Sequence, residues 1–253
     1  MNTGQPSSDA LAEPDARTRE LATGLAVVQQ RILAACATAG REPSEVHVIV
    51  VTKTYPAADV VRLAALGVRD VGESRDQEAG AKHRDVSAAV LPVGADRPPL
   101  RWHFIGRLQS NKARHVAGYA DVVHSVDRLG LVDALDRGAA ASGRRLDCLV
   151  QVSLDGDPTR GGTPVPQVPE VADRIAAAPH LGLAGLMAVA PLGVDPRAAF
   201  AALREVSERL RQVHPAAVMI SAGMSGDLEA AVTEGATHLR VGSAVLGPRP
   251  PLG

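Results

Sequence analysis

Eight short β-forming runs, separated by alanine-rich segments with helical spacing, constrain this chain more than any other feature. The runs are "VHVIVVT" (46–52), "VRDVG" (68–72), "WHFIG" (102–106), "DVVHSV" (121–126), "LDCLVQVSL" (146–154), "LGLAGLMAV" (181–189), "AVMISA" (217–222) and "THLRVGSAV" (237–245). Segments such as "AADVVRLAAL", "DRLGLVDALDRGAAAS" and "PRAAFAALREVSERLRQV" are long enough to carry the chain back between parallel strands. Eight strands with seven intervening helices predict an α/β chain folded as a (β/α)8 TIM-type barrel that lacks its last helix. An extra N-terminal helix is positioned to replace it: Leu21, Leu25, Val28 and Ile32 recur at three- and four-residue spacing before Gly40. A doubly wound open sheet is the alternative, because periodicity counts strands better than it shows closure.

The first sixteen residues are small and polar, with two prolines, and read as a flexible tail; 17–253 reads as one barrel domain. "VLPVGADRPPL" (90–100), with three prolines, reads as a surface loop. With 45% hydrophobic residues, the 253-residue chain can bury a large core. The 27 Lys and Arg against 28 Asp and Glu give a net charge of -1, which argues against a nucleic-acid or membrane partner. Two cysteines, Cys36 and Cys148, are too few for a disulfide framework or zinc cluster, and no metal site is expected. No secretory leader pattern opens the chain and no run looks long enough to span a bilayer, so a cytoplasmic location is expected.

Candidate chemistry sits at the predicted strand ends. In a barrel the active face lies at the C-terminal ends of the strands, with a phosphate site frequently built after strands seven and eight. After the seventh run comes "SAGMSGDLEAA", with Ser225 or Asp227 as candidate cap of a helix; the eighth ends in "RVGSAVLG". Gly and Ser turns of this kind suit a phosphate dianion, although each alone occurs in many α/β proteins. The first run ends on Lys53, three residues before a proline. A lysine there commonly snorkels to solvent. In a closed barrel, however, the first strand neighbours the eighth, so Lys53 faces the phosphate turns, and an amine against apolar walls can form a Schiff base with an aldehyde.

The motifs "VTKTYP" (51–56), "VGESRDQE" (71–78), "WHFIGRLQSNK" (102–112), "GLMAVAP" (185–191), "SAGMSGDLEAA" (221–231) and "LRVGSAVLG" (239–247) resemble the pyridoxal phosphate homeostasis proteins. That family is related to the barrel domain of alanine racemases, and the resemblance runs from about residue 17 to 248. It implies that Lys53 holds pyridoxal 5'-phosphate as a Schiff base. It further implies that Ser221, Gly223, Gly242 and Ser243 hold the phosphate and that Arg240 faces the pyridine nitrogen; Met224 reads from its residue type as a soft wall of the pocket or as core. An arginine there disfavours a protonated ring nitrogen, since two positive charges would lie side by side. Alanine racemases add a tyrosine from a further domain, for which Tyr55 and Tyr119 look like poor substitutes, so the resemblance implies a cofactor carrier without catalytic residues. Its expected partners are the cofactor and, transiently, apoenzymes that use it, and a monomer is expected. An amino-acid racemase and a cofactor-free aldolase-type barrel remain the competing readings. Ser74 stands where the family usually has asparagine, which bears on the ring contacts.

Other polar residues have bland readings. Trp102 reads as core, His124 as a hydrogen-bonded core histidine, "QSNK" (109–112) as a helix cap, and Glu73 and Glu78 as solvated carboxylates. The "SLDGDPTRGG" segment (153–162), with Arg160, reads as a surface loop that could close over the cofactor.

Overall fold

A computed structural model of the protein describes residues 14–89, 99–157 and 160–248. The first thirteen residues of the expected tail and 90–98 of the expected proline-rich loop lie outside them. Eight parallel strands close into a barrel: β1 (His47–Val51), β2 (Asp70–Glu73), β3 (Arg101–Phe104), β4 (Val122–Val126), β5 (Leu146–Ser153), β6 (Leu181–Met187), β7 (Met219–Ser221) and β8 (His238–Val241). Sequential strands pair in order, and β8 pairs β1 with Ile49 opposite Arg240, which completes the ring. The open-sheet alternative is thereby removed. The strands are mostly apolar because both faces are covered, as in β4, where all five residues are buried, the polar His124 and Ser125 included.

The helices are α1 (Ala16–Ala39), α2 (Ala57–Ala65), α3 (Asp76–Ala89), α4 (Ala113–Ala117), α5 (Leu129–Ser142), α6 (Val168–Ala176), α7 (Pro196–Val213), α8 (Leu228–Thr233) and α9 (Ser243–Leu246). α1 takes the outer-ring place between α8 and α2. It starts at Asp15, whose carboxylate accepts the Thr18 N–H, and ends at Gly40 in the left-handed conformation (φ 64°). Leu21, Val28, Ile32, Ala35 and Cys36 form its buried stripe. By length and hydropathy α1 could cross a bilayer, contrary to the expectation for this chain, yet its apolar stripe faces the barrel. Gly24 is required where α1 crosses α9, since a Cβ there would lie 2.4 Å from the Val245 carbonyl oxygen.

Two local readings change. The last strand ends at Val241, four residues earlier than its apolar run, because the chain turns at Gly242 into α9. "QSNK" supplies no side-chain cap. Ser110–Lys112 form a 3₁₀ turn, and the Ser110 hydroxyl accepts from Arg128 (3.1 Å).

Candidate cofactor site

Lys53 lies two residues beyond β1 and is half-buried. The next residue, Thr54, has φ 71°, the one left-handed non-glycine conformation among the described residues. A β-branched residue there is strained by about 1–3 kcal/mol, so its surroundings must hold it. They do so through a buried ionic network under the turn. The Glu78 carboxylate accepts the Thr54 N–H. Lys82, from α3, donates to Thr52 O (2.7 Å), Glu73 Oε1 (2.6 Å) and Glu78 Oε1 (3.0 Å), which uses all three ammonium protons. The Thr52 hydroxyl also donates to Glu73 Oε1 (2.7 Å).

The expectation that Glu73 is solvated is thus overturned. Its side chain is 1% exposed, and burial raises its pKa against the opposing pull of Lys82. Its second oxygen, Oε2, has no hydrogen-bond partner. Neither the buried carboxylate nor Lys82 was legible as part of the site, although Glu78 and Lys82 have the i,i+4 spacing of a helical ion pair.

On the neighbouring strands the turns after β7 and β8 are fused into one rim. Gly223 (φ 87°) accepts the Arg240 N–H (2.9 Å), and a Cβ on it would lie 2.6 Å from the Ala231 Cβ, so no larger residue fits. Ser225 Oγ lies 3.4 Å from Ser243 Oγ and accepts from Ala244 N (3.3 Å). Neither Ser225 nor Asp227 makes a side-chain cap to α8; Asp227 instead accepts the Met224 N–H (2.5 Å), and Met224 is 40% exposed. Arg31 of α1 fastens the rim by donating to Ser225 O (2.9 Å).

The structure therefore brings Gly223, Met224, Gly242 and Ser243 together and adds Ser225. It does not bring the Ser221 hydroxyl to that rim. Ser221 is fully buried inside the barrel, where its oxygen accepts from Arg240 Nη1 (2.7 Å) and lies 2.9 Å from His124 Nδ1. This departs from the phosphate contact implied for Ser221, because the hydroxyl is already engaged below the rim.

Arg240 is 5% exposed, and its Nη2 donates to Ala188 O (2.8 Å). Burial lowers its pKa to about 10, so it stays charged at neutral pH. The hydrogen-bonded chain continues from His124 Nε2 to His103 Nδ1 (2.8 Å) and from His103 Nε2 to Asp70 Oδ1 (2.9 Å). His124 is the core histidine expected, and His103 of β3 joins it in the barrel interior.

Of the remaining residues, the Tyr55 hydroxyl donates to Gly247 O (2.7 Å) and that of Tyr119 reaches Asp76 (3.4 Å). Arg160 donates to Ala190 O (2.8 Å) just beyond β6, which ties its loop to the barrel's upper end. Trp102 is buried, as expected of a core residue.

The buried histidines dictate an acid response. Burial holds His124 well below the usual histidine pKa, and burial with the nearby His47 lowers His238 to about 3. The unfolded chain therefore binds more protons than the folded one below about pH 6.5, so stability falls as pH falls. Denaturant unfolding is expected to lose about 1.4 kcal/mol per pH unit for each histidine in that range. A stability curve that stays flat until the carboxylates titrate near about pH 4 would contradict buried neutral rings.

Fold and rim together define a barrel of the alanine racemase N-terminal type, and the family described as "Alanine racemase, N-terminal domain" matches residues 25–250. The chain is 45% identical over 257 aligned positions to the pyridoxal phosphate homeostasis protein of Mycobacterium tuberculosis, covering 96% of this chain and 98% of that one. It is also similar to a protein of unknown function from Bifidobacterium adolescentis (TM-score 0.84, 32% identity, 92% and 96% covered). PipY of Synechococcus elongatus, solved with pyridoxal phosphate bound, superposes with a TM-score of 0.75 at 35% identity, covering 90% of this chain and all of PipY. This chain belongs to the pyridoxal phosphate homeostasis protein family.

Proposed function

We propose that the protein binds pyridoxal 5'-phosphate covalently through Lys53 and buffers it or delivers it to apoenzymes, acting as a cytoplasmic monomer. The observation that carries this reading is the convergence of three features on neighbouring strands: a half-buried lysine after β1, a Gly/Ser rim after β7 and β8, and a buried cationic arginine on β8. The PipY complex with the same cofactor supports it.

The rim fits a phosphate. A Cβ on Gly242 would approach the protein no closer than 3.4 Å, at Val51 O, so packing leaves room for a side chain at a position where the chain has none. Space above small residues, with the Ser225 and Ser243 hydroxyls beside it, suits a dianion. Lys53 offers the amine, and the network of Glu73, Glu78 and Lys82 fixes the turn that aims it. Arg240 keeps positive charge where the resemblance sets the ring nitrogen, which leaves that nitrogen unprotonated and weakens the ring as an electron sink. Bound pyridoxal phosphate supplies an aldehyde that can pass between amines.

A racemase needs a second acid/base group, and both candidate phenols are engaged elsewhere, Tyr55 with Gly247 and Tyr119 with Asp76. The carrier reading is favoured for that reason. Its test compares pyridoxal phosphate with pyridoxal in equilibrium binding to wild type and to the Ser225→Ala/Ser243→Ala variant. Loss of hydrogen bonds to a charged phosphate should weaken binding of the phosphorylated form by about tenfold or more and leave pyridoxal unaffected. Equal affinity of wild type for the two compounds would overturn the assignment of the rim.

A further inference from the structure

A continuous hydrogen-bonded chain crosses the barrel interior from its lower mouth to Arg240, and the proposed function leaves most of it unused. Its members come from five strands: Asp70 starts β2, His103 is on β3, His124 on β4, Ser221 ends β7 and Arg240 is on β8. His103, His124, Ser221 and Arg240 are each at most 5% exposed, whereas the Asp70 side chain is 18% exposed. Asp70 lines a lower-mouth cavity of about 780 Å³ together with His47, Arg101, Arg145, Asp147 and His238.

With Asp70 ionised, hydrogen-bond arithmetic allows one direction along this chain. The Asp70 carboxylate can only accept, so His103 donates from Nε2. A neutral His103 then accepts at Nδ1 from His124 Nε2–H. Neutral His124 accepts at Nδ1 from the Ser221 hydroxyl, whose oxygen accepts from Arg240 Nη1–H. Were His103 instead protonated, His124 would donate towards Ser221. The serine oxygen would then face two donors, and its own proton would have lost its acceptor in a fully buried site. The neutral arrangement satisfies every group, and each bond is polarised towards one carboxylate.

We propose that Asp70, His103 and His124 are positioning residues that act through Ser221 to hold the Arg240 guanidinium in orientation and charge against the bound cofactor ring. This rests on the reading of Arg240 as the residue facing that ring. Among the described residues its hydrogen bonds go to Ser221 and the Ala188 carbonyl, and the Asp227 carboxylate acts on it only through space. The relay adds a second anion at a distance, with no acid hydrogen-bonded to the guanidinium to cancel the positive charge needed at the ring nitrogen. Other charges bear on the chain: Arg101 and His238 face Asp70, and His238, Arg101 and Arg240 face His124.

The test uses the full-length protein and Asp70→Asn, which keeps an acceptor oxygen for His103 while removing the charge, together with His124→Asn, which breaks the chain. Asp147→Asn serves as control, since Asp147 lines the same mouth, is 47% exposed and touches none of the chain. In the cofactor-free protein at neutral pH, nitrogen-15 shifts should show both histidines as neutral Nε2–H tautomers, and Asp70→Asn should perturb those of His103 and His124. In the loaded protein, Asp70→Asn and His124→Asn should shift the visible band and speed cofactor release by about two- to thirtyfold, with the control unchanged. Nδ1–H tautomers in the wild type, or a band and release rate unaffected by Asp70→Asn, would overturn the relay. A wild type that takes up no pyridoxal phosphate sinks the cofactor reading instead, and the histidine shifts then decide whether the relay exists.

Discussion

Replacing Lys82 by methionine should destabilise the protein by about 3–5 kcal/mol, the cost of leaving a buried carboxylate without its counterion. Lys82 and Glu73 are 5% and 1% exposed, and their 2.6 Å pair shares its oxygen with the Thr52 hydroxyl. Removing the ammonium strips Glu73 of a charged donor and frees the Thr52 carbonyl and Glu78 as well. A loss of that size is a large fraction of the stability of an ordinary domain.

The double variant Glu73→Gln/Lys82→Met separates this cause from general damage. Burial already works against ionised Glu73, and one of its oxygens is unpartnered, so the neutral pair should recover most of the loss. Denaturant midpoints of the three proteins check the prediction. Equal destabilisation of the single and double variants would show that shape, rather than the uncompensated charge, governs the site. The ionic network also bears on binding, because Glu78 pins the strained Thr54 beside Lys53. Cofactor affinity should therefore fall in the Lys82 variant.

Much of the fold was legible for a physical reason. Strands buried on both faces read as short, β-rich and mostly apolar runs, and helices reveal themselves through spacing, so the strand count and the substitution of α1 for a missing outer helix follow from pattern alone. The end of β8 was not legible, because "SAVL" is apolar in either conformation and only the backbone turn at Gly242 separates strand from helix.

At the candidate site, the proximity of the turns carrying Gly223, Gly242 and Ser243 was legible because turns of small residues stand out against apolar strands, as does the ammonium of Lys53. Ser225 reads as a helix cap in the sequence but makes none, and the interior contacts of the Ser221 hydroxyl with Arg240 and His124 left no mark in the pattern. The interior relay was invisible: His103, His124, Ser221 and Arg240 lie on four strands that only closure brings together. Glu73 looked solvated for the same reason, since its partner Lys82 comes from the following helix.

The second large effect concerns Lys53 itself. An imine needs an amine within reach of the carbonyl, and a half-buried lysine on the strand beside the Gly/Ser rim supplies one whose position is fixed by a strained, tightly held turn. Lys53→Ala should abolish covalent capture while the rim and Arg240 retain weak, reversible binding. Stability should fall less than in the Lys82 variant, because Lys53 is only half-buried whereas Lys82 is 5% exposed.

The most direct measurement is therefore borohydride reduction of the pyridoxal phosphate-loaded wild type and the Lys53→Ala variant, followed by peptide mass mapping. The account predicts a single phosphopyridoxyl adduct on Lys53 in the wild type and none in the variant. An adduct on another lysine, or undiminished labelling of the variant, would contradict the central claim that the lysine just beyond the first strand holds the cofactor.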